Sequence, residues 1–146
     1  MSYHIAYEAA QAPPHGPTIL AFMEHFYHLS DTESLHEEYA QSFAEDATLV
    51  MGSKEANGFE EILNLRKGLW THVASRQHTP ERIFFSGENS IMLYGGVTYR
   101  LKAKPDEDVY IPWAGRVVFT PFKEGEPVKI RFYQVYLDSS AQTGKK

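Results

Sequence analysis

The chain contains no cysteine. That removes a disulfide framework, a thiolate nucleophile and any thiolate metal site together, and it is compatible with a reducing compartment. Nor does any basic run exceed two residues, and the net charge is −5. Nucleic acid and anionic membrane surfaces need clustered Lys and Arg to neutralise phosphates, so neither partner is expected. No apolar stretch approaches the roughly 18 residues of a spanning helix, and MSYHIAYEAAQAPPHGP has neither the basic start nor the apolar core of a secretion signal. A soluble, cytoplasmic protein is expected. Phosphate loops, a Gly-x-Ser-x-Gly elbow and dinucleotide fingerprints are also missing, and the expected chemistry is cofactor-free.

What is there is concentrated in the C-terminal half. Residues Ile91 to Ser140 alternate runs of Val, Ile, Tyr, Phe and Trp with short Gly, Pro and Asp clusters, the pattern of antiparallel strands joined by tight turns. Strands are expected over 78–86, 90–102, 109–122 and 128–138, with turns at Gly87-Glu88-Asn89, at Pro105-Asp106 and across 124–127. In the last strand Phe132 and Tyr136 oppose Tyr133, Val135 and Leu137, so both sheet faces carry large apolar residues and both are expected to be covered. Aromatic residues make up 14% of the chain, enough to fill a core or to line a cavity for a flat apolar ligand.

The covering helices must lie N-terminal to that meander. Residues 1–16 end in Pro13, Pro14 and Gly16 and read as a flexible arm. Pro17 can open a helix that runs to Asp31, with Ile19, Phe22, Met23 and Phe26 on one face. Ser30 or Asp31 can cap a second helix over 32–46, whose stripe is Leu35, Tyr39 and Phe43. A short strand over 47–52 and a loop SKEANG precede a third helix over 59–73, with Ile62, Leu63, Arg66, Leu69 and Trp70 at helical spacing. At 146 residues this is one domain, placed at 17–138, with a disordered tail at 139–146. The fold class is α+β: a curved, cone-shaped antiparallel sheet with three N-terminal helices on its concave face.

His78 is the strongest acid–base candidate, because imidazole alone titrates near neutrality and can both take and give a proton. Arg116 stands among Trp113, Ala114, Gly115, Val117 and Val118; a guanidinium taken from water must either pair with a carboxylate or face a polar cavity. Strand parity puts Trp113 and Arg116 on opposite faces. Tyr27 lies beside the apolar face of the first helix, so its ring is expected inside with its hydroxyl able to reach a cavity, while His28 falls on the solvent side. Glu24-His25-x-x-His28 is not the His-Glu-x-x-His order of a zinc helix, and no metal site is expected. Asp46 reads as the end of the second helix, and Tyr94, beside Gly95-Gly96, as a pocket residue where small neighbours allow close approach.

The order of elements, the stretch FAEDATLVMG, and the strands YIPWAGRVVF and IRFYQVYLD resemble the SnoaL-like branch of the nuclear transport factor 2-like superfamily across 17–138. Within it the chain is most similar to scytalone dehydratases and fungal secondary-metabolism isomerases. The resemblance implies a pocket between sheet and helices, and often a homodimer through the open sheet face. A Tyr-Asp pair late in the first helix corresponds to Tyr27-His28 here, so the tyrosine is kept and the carboxylate is not. A histidine at the entry to the second strand matches His78, a polar strand residue falls on Arg116, and a second histidine is replaced near Val97. The implied function is an isomerase, cyclase or dehydratase acting on a carbonyl-containing, polyketide- or terpenoid-like molecule, with His78, Arg116 and Tyr27 catalytic and Tyr94, Trp113 and Tyr136 holding substrate. The alternative is a non-catalytic homodimeric binding module.

Overall fold

In the computed structural model, which describes residues 3–138, the chain opens with a short strand, β1 (Ala6–Tyr7), and a 3-10 turn (Ala9–Gln11) before helices α1 (Gly16–Asp31) and α2 (His36–Gln41). A hairpin of β2 (Phe43–Met51) and β3 (Lys54–Asn57) leads into α3 (Gly58–Leu69), and four strands close the chain: β4 (Val73–Ser86), β5 (Ser90–Leu101), β6 (Lys104–Phe119) and β7 (Ile130–Tyr136). All seven strands form one curved, open sheet in the order β1-β4-β5-β6-β7-β2-β3. The expected meander is its centre, since β4 to β7 pair antiparallel in sequence order. Its two flanks are parallel, β1 beside β4 and β2 beside β7, so the sheet is mixed rather than wholly antiparallel. The tail expected at 139–146 lies outside the described residues.

The core is the contact between α1 and one face of this sheet. Ile19, Met23, Phe26 and Tyr27 of α1 are buried. Phe26 meets Tyr133 edge-on at 5.4 Å, Phe22 meets Phe119 at 5.4 Å, and Tyr27 lies 5.5 Å from Trp113. The residues of β5, β6 and β7 that alternate inward, among them Leu93, Val97, Tyr99, Val117 and Val135, complete the layer. The opposite face leaves Phe84, Met92, Tyr94, Tyr110 and Tyr136 exposed in the single chain.

Three expectations need correction. The segment read as a flexible arm is packed from Tyr3 onward: Tyr3 and Ile5 are buried, and Ala6 and Tyr7 lie beside Arg82 and Ile83. Pro13, Pro14 and Gly16 break only the approach to α1, whereas Tyr3, Ile5 and Tyr7 carry the two-residue alternation of a strand. The second helix stops at Gln41, and Phe43 to Asp46 already belong to β2, where Asp46 is an exposed strand residue. Leu35, Tyr39 and Phe43 are four apart and mimic a helix, but Phe43 pairs with Ile130, a partner too remote in sequence to leave a local signal. Finally, β4 begins at Val73, so His78 sits in mid-strand and not at a strand entry.

Two adjacent glycines of β5 serve different ends. A Cβ on Gly95 would stand 2.4 Å from the Thr79 carbonyl oxygen and 2.7 Å from Pro80 Cα, at the register shift that follows Pro80. The atoms nearest a Cβ on Gly96 would be those of the Tyr110 side chain, which lies across it on the outer face and is 58% exposed. Backbone cannot step aside, but an exposed ring can. Gly95→Ala is therefore expected to cost about 1–3 kcal/mol and Gly96→Ala clearly less, measured as urea midpoints; an equal or larger loss at Gly96 would contradict this account.

Candidate active site

Helix α1 ends inside the protein. Leu29 and Ser30 are both buried, and the last carbonyls of a helix have no intrahelical partner, so they must be met from elsewhere. Arg66 of α3, with no solvent exposure, donates from Nη1 to the Ser30 carbonyl (2.7 Å) and from Nη2 to the Leu29 (3.1 Å) and Thr32 (2.7 Å) carbonyls. Its Nε donates to His36 Nδ1 at 3.1 Å. Arg76 of β4 adds a bond from Nη2 to the Ser30 carbonyl and another to Ser30 Oγ at 3.4 Å. Both cations stand at the negative end of the helix dipole, and both lie over aromatic faces: Arg66 over Tyr39 at 4.7 Å, Arg76 over Trp70 at 4.6 Å. Burial, with Arg76 nearby, lowers Arg66 to about 10, which leaves it charged at neutral pH.

That anchoring fixes the last residue of the helix. Asp31 Oδ1 lies 2.5 Å from His78 Nδ1, while Oδ2 accepts the His78 backbone N–H at 2.7 Å and the Tyr3 hydroxyl at 2.5 Å. Arg76 Nε is 3.7 Å from Oδ1. Burial pushes the Asp31 carboxyl up, but His78 and the Tyr3 hydroxyl outweigh it and hold the group below the usual carboxylate range. For His78 burial dominates in the other direction: together with Arg76 and Arg66 it overcomes the pull of Asp31 and lowers the imidazole below its ordinary value. The pair is thus a carboxylate facing a neutral imidazole. With its proton on Nδ1, donated to Asp31, His78 keeps a lone pair on Nε2.

His78 is one wall of a cavity whose other walls include Ser30, Arg76, Tyr99, Trp113 and Tyr133. Its free volume is ≈ 20 Å³, room for about one water. Beneath it the Tyr27 and Tyr133 hydroxyls are 3.1 Å apart, and burial raises both phenols far above their ordinary value, so both remain donors. The ring of Tyr27 is 5.0 Å from that of His78. A base, the Tyr133 phenol and a guanidinium lining one small void is an arrangement suited to moving a proton and steadying the oxygen charge that results.

Of the six residues singled out in the sequence, His78, Tyr27 and Trp113 come together here, with the Trp113 indole N–H donating to the Gly96 carbonyl at 2.8 Å. Arg116, Tyr94 and Tyr136 do not. Parity sends all three to the outer face, where Arg116 lies exposed over the Phe132 ring at 4.9 Å, Tyr94 stacks near Phe84 at 6.2 Å, and Tyr136 bonds Gln134. No carboxylate follows Tyr27 directly; the carboxylate facing His78 is Asp31, a candidate helix cap in the sequence. Its signal was present, since Ile19, Met23, Tyr27 and Asp31 are spaced by four and share one helix face. Arg76 and Tyr133 carried no comparable signal. Among the described residues no group of three or more His, Asp or Glu side chains gathers as metal ligands would; His25 and His28 have rings 6.1 Å apart.

The buried pair ties stability to pH with a definite sign. Below the ordinary histidine value of 6.5 the unfolded chain takes up a proton that folded His78 refuses, so its contribution is complete above that value and falls on acidification. Asp31 contributes fully above its ordinary 3.8 and loses this as pH drops through its lower folded value. Urea midpoints are expected to fall between about pH 7.5 and 5.5, and less steeply in His78→Gln; equal slopes would show that His78 is not buried neutral.

No family model matches the sequence, and no curated protein matches it. Solved structures do match in shape. Nuclear transport factor 2 from Cryptosporidium parvum aligns with a TM-score of 0.69 at 14% identity, covering 87% of this chain and 98% of that one. A Shewanella denitrificans protein classed as a SnoaL-like polyketide cyclase gives 0.68 at 14%, covering 88% and 96%. A Novosphingobium aromaticivorans protein classed as a scytalone dehydratase gives 0.64 at 18%, covering 84% and 83%. Identities this low speak for the fold and not for the reaction. The chain has the nuclear transport factor 2-like fold.

Proposed function

We propose that the protein is a cofactor-independent isomerase, cyclase or dehydratase that moves a proton on a carbonyl-bearing, polyketide- or terpenoid-like small molecule. The observation that carries this reading is the Asp31–His78 pair, 2.5 Å apart and almost dry, with His78 at a cavity wall. In the proposed step His78 Nε2 removes a proton from the carbon next to the carbonyl, and the bonding electrons pass to the carbonyl oxygen. Asp31 stabilises the imidazolium that forms, as an ionised neighbour favours the charged form. The enolate oxygen is met by Arg76 or by a tyrosine hydroxyl, Tyr27 or Tyr133, donors already desolvated and therefore effective against new charge. Returning the proton to a different carbon gives an isomer. Attack of the enolate carbon on a second carbonyl closes a ring, the alkoxide left on that carbonyl oxygen taking its proton from the imidazolium, and expulsion of a β-hydroxyl as water, with a proton from the imidazolium, gives dehydration. Arg116 has no part in these steps because it lies on the other face of the sheet.

One observation favours the alternative of a non-catalytic binding module: a void of ≈ 20 Å³ holds no substrate until the walls part. The two readings separate in deuterium oxide. Offered simple cyclic and aromatic β-ketones, the wild-type chain is expected to accelerate exchange at the carbon next to the carbonyl, followed by proton NMR. His78→Gln should lose about 10²-fold or more of that rate, Asp31→Asn should lose a large part of it, and Arg116→Ala should keep it. The rate should decline on acidification below the ordinary histidine range, since only neutral His78 accepts a proton. Ligand binding without exchange would favour the binding module, and undiminished exchange by His78→Gln would remove His78 from the mechanism.

A further inference from the structure

The N-terminal segment reaches the site through one atom. Tyr3 is 9% exposed, and its hydroxyl donates to Asp31 Oδ2 at 2.5 Å while accepting from Gln77 Nε2 at 3.2 Å. Gln77, the neighbour of His78 in β4, also donates to the His78 carbonyl at 3.2 Å. The segment behind Tyr3 is held independently of this contact: the Ile5 N–H donates to Glu24 Oε2 at 3.3 Å, Ala6 and Tyr7 run parallel to Arg82 and Ile83, and the Tyr7 ring meets Phe85 edge-on at 6.0 Å. A chain end held by its own strand pairing and packing delivers its hydroxyl to a carboxylate already engaged with an imidazole.

We propose that Tyr3 is a positioning residue of the active site, whose hydroxyl holds Asp31 in the orientation and charge state that set the basicity of His78. Asp31 has two oxygens and four accepting directions. Oδ1 faces His78 Nδ1; Oδ2 takes the His78 backbone N–H and the Tyr3 hydroxyl, so turning the carboxylate breaks three contacts at once. The hydroxyl also draws electron density from the carboxylate. A carboxylate relieved in this way supports an imidazolium less strongly, which keeps His78 neutral and ready to accept. Burial and the adjacent carboxylate keep the Tyr3 phenol protonated far above its ordinary value, so it acts as a fixed donor. The other groups facing the pair are Arg66 from α3, Arg76 and Gln77 from β4, and Tyr27 from α1; among the described residues only Tyr3 and the His78 backbone N–H donate to Oδ2.

This inference rests on His78 as the base, but its test reads the imidazole and not turnover, so the two can fail separately. The full chain labelled with nitrogen-15 at histidine gives the titration midpoint and the tautomer of His78 by NMR. Tyr3→Phe keeps the ring and removes only the hydroxyl. It should raise the His78 midpoint by about half to one pH unit. In an Asp31→Asn background the same change should leave His78 unmoved, because the effect passes through the carboxylate. Gln77→Met, which leaves the Tyr3 hydroxyl a weaker donor, should shift the midpoint the same way by less. An unchanged or lowered midpoint in Tyr3→Phe and Gln77→Met, with only a loss of thermal stability, would overturn the proposal. So would an undiminished Tyr3→Phe shift in the Asp31→Asn background.

Discussion

The constraint on which this molecule turns is the burial of the C-terminal end of α1. A helix that stops in solvent leaves its last carbonyls to water; one that stops in the core must find donors, at a cost of roughly 1–3 kcal/mol for each group left without one. Here the donors are two guanidinium groups brought from different elements, Arg66 on α3 and Arg76 on β4. Once those cations are inside, they need aromatic faces and a nearby carboxylate, and Tyr39, Trp70 and Asp31 provide them. The helix end, the two arginines and Asp31 therefore form a single polar unit, and no member of it can be removed without stranding another.

The same unit shapes the chemistry. His78 stands close to two buried cations and one carboxylate, a balance that leaves the imidazole neutral and the carboxylate charged. Tyrosine hydroxyls that burial keeps protonated complete the cavity. Such a wall is costly in a small core, and the surrounding layer of Ile19, Met23, Leu49, Val97 and Val117, all without solvent exposure, is what offsets it. The void beside this network is small. The carbonyl–arginine anchor at the end of α1 lies beside this cavity, with Ser30 and Arg76 among its walls.

Much of the architecture was legible before the fold was seen, and the reason differs from element to element. The meander from β4 to β7 is local: each strand pairs with the next, and Gly87-Glu88-Asn89 marks one corner, although the turn expected at Pro105-Asp106 falls earlier, at Lys102-Ala103, with Pro105 and Asp106 already in β6. Helices α1 and α3 were legible because their apolar residues recur at the helical period on one face. Of the flanking strands, β2 was legible only from 47 onward and β1 not at all, since both take partners from β7 and β4 across long stretches of chain, and parallel pairing leaves no turn between partners to read. In the site, Tyr27, His78 and Trp113 were within reach of periodicity and parity, but which face of β6 looked inward could not be decided from alternation alone, because Trp113 and Arg116 were equally plausible cavity residues on opposite sides.

By itself the sequence determined the composition-level exclusions, the α+β class, the first and third helices, the central strands, and the candidacy of His78, because these depend on residue type and short-range spacing. Only the tertiary structure decided that Asp31, and not a residue adjoining Tyr27, faces the imidazole; that Arg76 and not Arg116 lines the cavity; and that the Tyr3 hydroxyl reaches Asp31. Those are contacts between residues 28 to 47 positions apart. They exist because a helix end, a strand centre and a chain terminus must satisfy one another's polar groups once water has been excluded from between them.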